Sequence, residues 1–206
     1  MAFKSMNPGC CACGRVLFWE TDNDLEGTGF GSYTALEATY TGLGLAFDDS
    51  SNWTGTLAEY GLIIWPAPAA NPSWWSEISG GTWAGRIVIA SDFDLFVTSN
   101  AYVAGLSGTT GITFTADEID VGCQTATNIN AADLTSGVTS LGYGTVSTTS
   151  GGTDLIRAST GAAFISRNKV GTIDFVVCGD FTFLADACSS STLNVTFWEN
   201  LWMVAV

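Results

Sequence analysis

The chain has 206 residues, 47% of them apolar and 13% charged, which suits one domain with a sizeable core and is too hydrophobic for disorder. It carries 20 acidic residues against 6 basic ones, for a formal net charge of -14, and no histidine. Nucleic acid and anionic membrane are therefore poor partners, since both are held through Lys and Arg, and any mechanism that needs an imidazole is excluded.

Residues 1–14 read as an appended head in which Cys10, Cys11 and Cys13 crowd together and Pro8-Gly9 breaks structure. These three thiols are candidates for a metal or for disulfides; zinc prefers four thiolates, and only three are local. Cys123, Cys178 and Cys188 are scattered. The head lacks the apolar stretch of a secretory signal, and no run reaches the roughly 18 apolar residues of a membrane span. Synthesis in a cytoplasm is the expectation, followed by incorporation into a particle such as a virion.

From residue 15 to 206 the pattern is that of a single α/β domain. Arg15-Val16-Leu17-Phe18-Trp19 is a compact apolar run, as in a strand buried on both faces. An acidic loop follows, with Glu20, Asp22, Asp24 and Glu26 ahead of Gly27 and Gly29. Tyr33, Leu36, Tyr40 and Leu43 then step by three and four, predicting a helix with Ser32 as N-cap. Residues 43–47 predict a second strand and residues 60–65 a third, halted at Pro66. Asn71-Pro72 reads as a helix start leading into Trp74 and Trp75. Residues 86–90 are a fourth buried strand, running into Ser91-Asp92-Phe93-Asp94. A short helix over 100–106 and a strand over 111–115 come next.

Residues 124–169, rich in Thr, Ser and Gly, predict an antiparallel hairpin insertion. Residues 172–177 form a late strand that ends in Cys178-Gly179-Asp180, and a closing helix starts near Thr192 with Leu193, Phe197 and Leu201 on one face. Buried strands alternating with helices predict a doubly wound, mostly parallel sheet with helices on both faces, a flavodoxin-like three-layer fold.

Three stretches resemble the class I glutamine amidotransferase-like superfamily: residues 15–19 with their acidic Gly-rich loop, Glu59-Tyr60-Gly61 leading into the third strand, and residues 168–184 followed by the final helix. That resemblance implies a flavodoxin-like scaffold. Active members of the superfamily place a Cys nucleophile on a strand-to-helix elbow beside a His and an acid. Here the fourth strand runs into aspartates and no His exists, so the resemblance implies a non-catalytic member.

Ligands of such sheets bind beyond the carboxyl ends of the strands. Glu20, Asp22, Asp24, Asp92, Asp94 and Asp180 fall there, as candidate ligands for Ca²⁺ or Mg²⁺ or as a rim for a glycan; otherwise no cofactor is expected. The alternative for each is a solvated loop. Eight tryptophans are present, and Trp74, Trp75 and Trp83 are candidates for an exposed interface, since adjacent Trp74 and Trp75 cannot both point inward from one helix. The functional expectation is a structural or interaction component of a larger assembly, self-associating or bound to other subunits, of a virion or tail-associated kind. The alternative is a glycan- or divalent-cation-binding module on the acidic rim.

Overall fold

A computed structural model describes residues 14–19, 32–50, 53, 55–92 and 96–206. In chain order the elements are β1 (Arg15–Phe18), α1 (Thr34–Gly42), β2 (Ala46–Asp49), β3 (Tyr60–Pro66), α2 (Trp75–Ser79), β4 (Gly85–Ala90), α3 (Val97–Gly105), α4 (Ser107–Thr110) and β5 (Thr113–Ile119). They continue with β6 (Gln124–Ala126), β7 (Asn128–Ile129), β8 (Leu141–Tyr143), β9 (Val146–Ser150), β10 (Thr153–Arg157), β11 (Ala163–Val170), β12 (Ile173–Cys178), α5 (Ser190–Leu193) and α6 (Val195–Met203). No helix among the described residues is long and apolar enough to cross a membrane.

The architecture is mixed α/β, with one large, mostly parallel sheet and two small antiparallel ones. The large sheet has the order β2-β1-β3-β4-β12-β11-β10-β7. Its first five strands run parallel, and β11, β10 and β7 add to one side antiparallel. Residues 124–169 are thus antiparallel as expected, but three of their strands extend the main sheet instead of standing apart from it. β5 departs from expectation: it leaves the main sheet and pairs antiparallel with β9.

Strand alternation divides the core in two. Val16, Phe18, Leu62, Ile64, Val88 and Val176 face one side, where Leu36 and Tyr40 of α1 and Phe197, Trp198 and Leu201 of α6 cover them. Leu17, Ile63, Trp65, Ile87, Ile89 and Val177 face the other, covered by Trp75 and Ile78 of α2 and Val103 of α3. Both sides of β3 and β4 are apolar because both are buried, which is why those strands read as continuous hydrophobic runs.

Helix starts differ from the sequence reading. Ser32 does not cap α1: its hydroxyl donates to Asp186 Oδ2 at 2.5 Å, and Asp186 Oδ1 accepts the Ala35 N–H at 3.1 Å. The cap comes from a residue far along the chain. Asn71 and Pro72 lie in the turn before α2, and the last helical region is split into α5 and α6.

Candidate ligand edge of the sheet

The carboxyl ends of the parallel strands are the place to look for chemistry, and β9 lies over part of them. Ser147 N–H donates to the Gly179 carbonyl at 2.8 Å, and Gly179 N–H to Phe164 at 2.7 Å. A Cβ on Gly179 would stand 1.8 Å from the Ser147 carbonyl oxygen, so only glycine lets β9 cross the end of β12 this closely.

Under that crossing the edge is not a solvated acidic rim. Asp92, next but one after β4, is buried, and its carbonyl accepts Ser147 Oγ at 2.8 Å. Asp180, two residues past β12, is fully buried. Its Oδ2 accepts the Gly144 N–H at 2.7 Å; its Oδ1 accepts the Thr182 N–H at 2.7 Å and the Thr182 hydroxyl at 2.5 Å. Glu20, Asp22, Asp24 and Asp94, together with Cys10, Cys11 and Cys13, lie outside the described residues. Among the described residues no group of three or more His, Cys, Asp or Glu side chains is placed to hold a metal ion.

Burial pushes the Asp180 carboxyl up to about 6, against the pull of hydrogen bonds from Thr182, Gly144 and Phe183, where an ordinary aspartate stands at 3.8. The folded state then holds this proton more tightly than the unfolded chain. Its contribution to stability is fully present below 3.8 and is lost as pH rises through about 6. The expected outcome is a carbon-13 titration midpoint near 6 for Asp180, and a stability difference from Asp180→Asn that shrinks across that window. A midpoint at the ordinary aspartate value would contradict it.

Sequence reasoning passed over the buried hydroxyl that directly follows β4. Ser91 follows β4 directly, fully buried, with its hydroxyl 2.5 Å from Asn100 Oδ1 and 2.7 Å from Ser99 Oγ, both on α3. A carboxamide oxygen accepts a hydrogen bond but does not take up a proton near neutral pH, so it is no general base. Cys178 at the end of β12 is a buried free thiol. Burial pushes its pKa well up, and nearby Asp180 adds to that, so it stays protonated and unreactive.

On the other face of the sheet, at the ends of β1 and β3, the aromatic residues gather. Trp19 packs edge-on against Trp53 at 5.5 Å and Trp74 at 5.7 Å; Trp65 meets Trp74 at 5.1 Å, Trp75 at 5.4 Å and Tyr102 at 5.6 Å. Trp74 and Trp75 are 1% and 7% exposed and Trp83 4%, which corrects the expectation that one of the adjacent pair stands exposed and leaves none of the three on the surface of this chain. The geometry behind the correction is local: Trp74 sits in the turn before α2 and not on the helix, so both rings turn inward.

No family model matches the chain, and no curated protein does. Solved structures do. The N-terminal domain of mmIFT52 matches with a TM-score of 0.62 at 12% identity, over 90% of this chain and 97% of that one. Agd3, a carbohydrate deacetylase, matches with a TM-score of 0.58 at 8% identity, over 92% of this chain and 32% of its own. The exo-β-1,4-mannosidase Op5Man5 from Opitutaceae bacterium strain TAV5 gives 0.56 at 13% identity, over 91% and 35%. The chain thus spans nearly all of the first and about a third of the other two. At such identities the likeness is one of fold.

Proposed function

We propose that the chain is a non-catalytic domain of doubly wound, flavodoxin-like and amidotransferase-like layout that serves as a structural or interaction component of a larger assembly, virion or tail-associated in kind. The strand order β2-β1-β3-β4-β12, parallel throughout and covered on both faces, supports the layout. The observation that carries the non-catalytic reading is Ser91: the position after β4 holds a hydroxyl bonded to an amide and a second hydroxyl, in a chain without histidine. A disulfide between Cys123 and Cys188 supports an existence outside a reducing cytosol, as a particle component would have.

Self-association has to overcome a net charge of -14, so it is expected to strengthen with salt as the repulsion is screened. Light scattering behind size exclusion is the test, at rising protein concentration in low and high salt. Oligomers that grow with both support the assembly role; a strict monomer throughout, or glutamine hydrolysis by the pure protein, overturns the reading.

A second reading, a glycan-binding module, is favoured by the aromatic cluster at the ends of β1 and β3, and two of the compared proteins are named for action on carbohydrate. Its cation-binding form on the acidic rim has less support, because the Asp180 oxygens are already engaged by three donors.

A further inference from the structure

Among the described residues, four indoles bury a hydrogen-bond donor and meet no acceptor for it. Nε1 of Trp19, Trp53, Trp65 and Trp74 is shut away from solvent without a partner, although buried donors are almost always paired. The same fold pairs two other buried indoles. Trp83 Nε1 donates to the carbonyls of Leu57 and Tyr60 at 3.1 and 3.0 Å, and Trp198 Nε1 donates to that of Phe183 at 3.2 Å.

The four orphans form one connected group, Trp53 against Trp19, Trp19 against Trp74, and Trp74 against Trp65. Their place in the topology is specific. Trp19 directly follows β1, its backbone N–H bonded to the Ile64 carbonyl of β3 at 2.8 Å, and Trp65 is the neighbouring residue of β3 on the same face. Strand order reverses here, with β2 on the outer side of β1 and β4 beyond β3. Open α/β sheets bind ligands in the crevice beyond the strand ends at such a switch point.

We propose that this tryptophan cluster is a binding site for a neutral saccharide. The inference rests on the glycan-binding reading and gives it a ligand class and the residues that would hold the ligand. What the cluster lacks among the described residues is acceptors, and sugar hydroxyl and ring oxygens are acceptors, while the C–H face of a pyranose packs on an indole. An anion would also accept. However, the chain carries a charge of -14, and Arg15, Arg86, Arg157 and Arg167 are each already paired with an aspartate. A quaternary ammonium would use the ring faces and leave every N–H unbonded. Trp19 and Trp53 are half-buried at the outer side and Trp65 and Trp74 lie beneath, so a sugar enters as the outer indoles turn aside.

The test is titration of the nitrogen-15-labelled protein with cellohexaose, mannohexaose and, separately, choline. One of the hexasaccharides is expected to move the indole N–H resonances of Trp19, Trp53, Trp65 and Trp74 and to leave those of Trp83 and Trp198 in place; choline moves none. Trp74→Phe keeps a ring and removes a donor, and is expected to weaken that affinity about tenfold. Trp19→Phe, at a half-buried position, is the second variant should the first fail to fold. A hexasaccharide that binds with the four resonances unmoved, or equally well to both variants, overturns this site and leaves the glycan-binding reading standing. Binding of neither hexasaccharide overturns both.

Discussion

Asp174→Ala is expected to cost about 3–5 kcal/mol, a large part of the roughly 5–15 kcal/mol that keeps a domain folded. Asp174, near the start of β12, is fully buried and bridges two guanidinium groups, one of which, that of Arg167, also meets Asp133. Arg86 Nε donates to its Oδ2 at 2.7 Å, and Arg167 donates to Oδ1 through Nε and to Oδ2 through Nη2, each at 2.7 Å. Arg86 is itself 1% exposed and reaches the carbonyl oxygens of Asn200 and Leu201 in α6. The network therefore joins two central strands, the antiparallel extension and the closing helix at one point.

Burial pushes the Arg86 pKa down and Asp174 pulls it back, so removing the carboxylate leaves the buried Arg86 cation without its counter-charge and facing Arg167, which keeps only the half-exposed Asp133. Urea melts of Asp174→Ala against the native chain measure the loss, and a shift worth less than about 1 kcal/mol would refute the argument. The double variant Arg86→Met with Asp174→Leu is expected to lose less than Asp174→Ala alone, because apolar replacement of a buried pair removes the desolvation cost together with the attraction.

Opening the disulfide is the second large effect. Cys123, in the exposed segment before β6, is bonded to Cys188, in the segment before α5, across a separation of 65 residues. Closing a loop of that length restricts the unfolded chain by about 4 kcal/mol. For a chain of this size the double variant Cys123→Ala/Cys188→Ala is expected to melt roughly 10 °C lower, and a reducing agent should lower the native protein to the same point. Cys178 is buried and takes no part. Equal melting temperatures with and without reductant, or alkylation of Cys123 without prior reduction, would count against the bond.

The loss should be felt beyond the bond itself, because Cys188 lies in a strap held at several further points. Asp186 caps α1 from this strap, and Ser190 and Asn194 hold the Gly142 carbonyl at 3.3 and 2.9 Å. Gly142 packs so tightly under it that a Cβ would stand 2.3 Å from the Cys188 carbonyl oxygen.

Several features were legible in the residue order. The strands β1, β3, β4 and β12 announce themselves as apolar runs because both faces of the sheet are covered, so no polar alternation interrupts them. The antiparallel character of residues 124–169 follows from short alternating stretches between Gly-rich turns. The absence of imidazole chemistry is a matter of composition alone.

Other features exist only once distant segments meet. Asp180 reads as an exposed loop residue, yet β9 bonds to the neighbouring Gly179 carbonyl and the distant Gly144 N–H joins Thr182 in donating to the buried carboxylate. Trp74 and Trp75 look incompatible on one helix, and a turn resolves them. Nothing in sequence spacing couples Cys123 to Cys188, Asp186 to α1, or Arg86 to Asp174, 88 residues away. Hydrophobic patterning is a local property, so chain order carries it. Burial of polar groups, their hydrogen bonds and their shifted ionisation depend on what packs against them, and only the tertiary structure decides that.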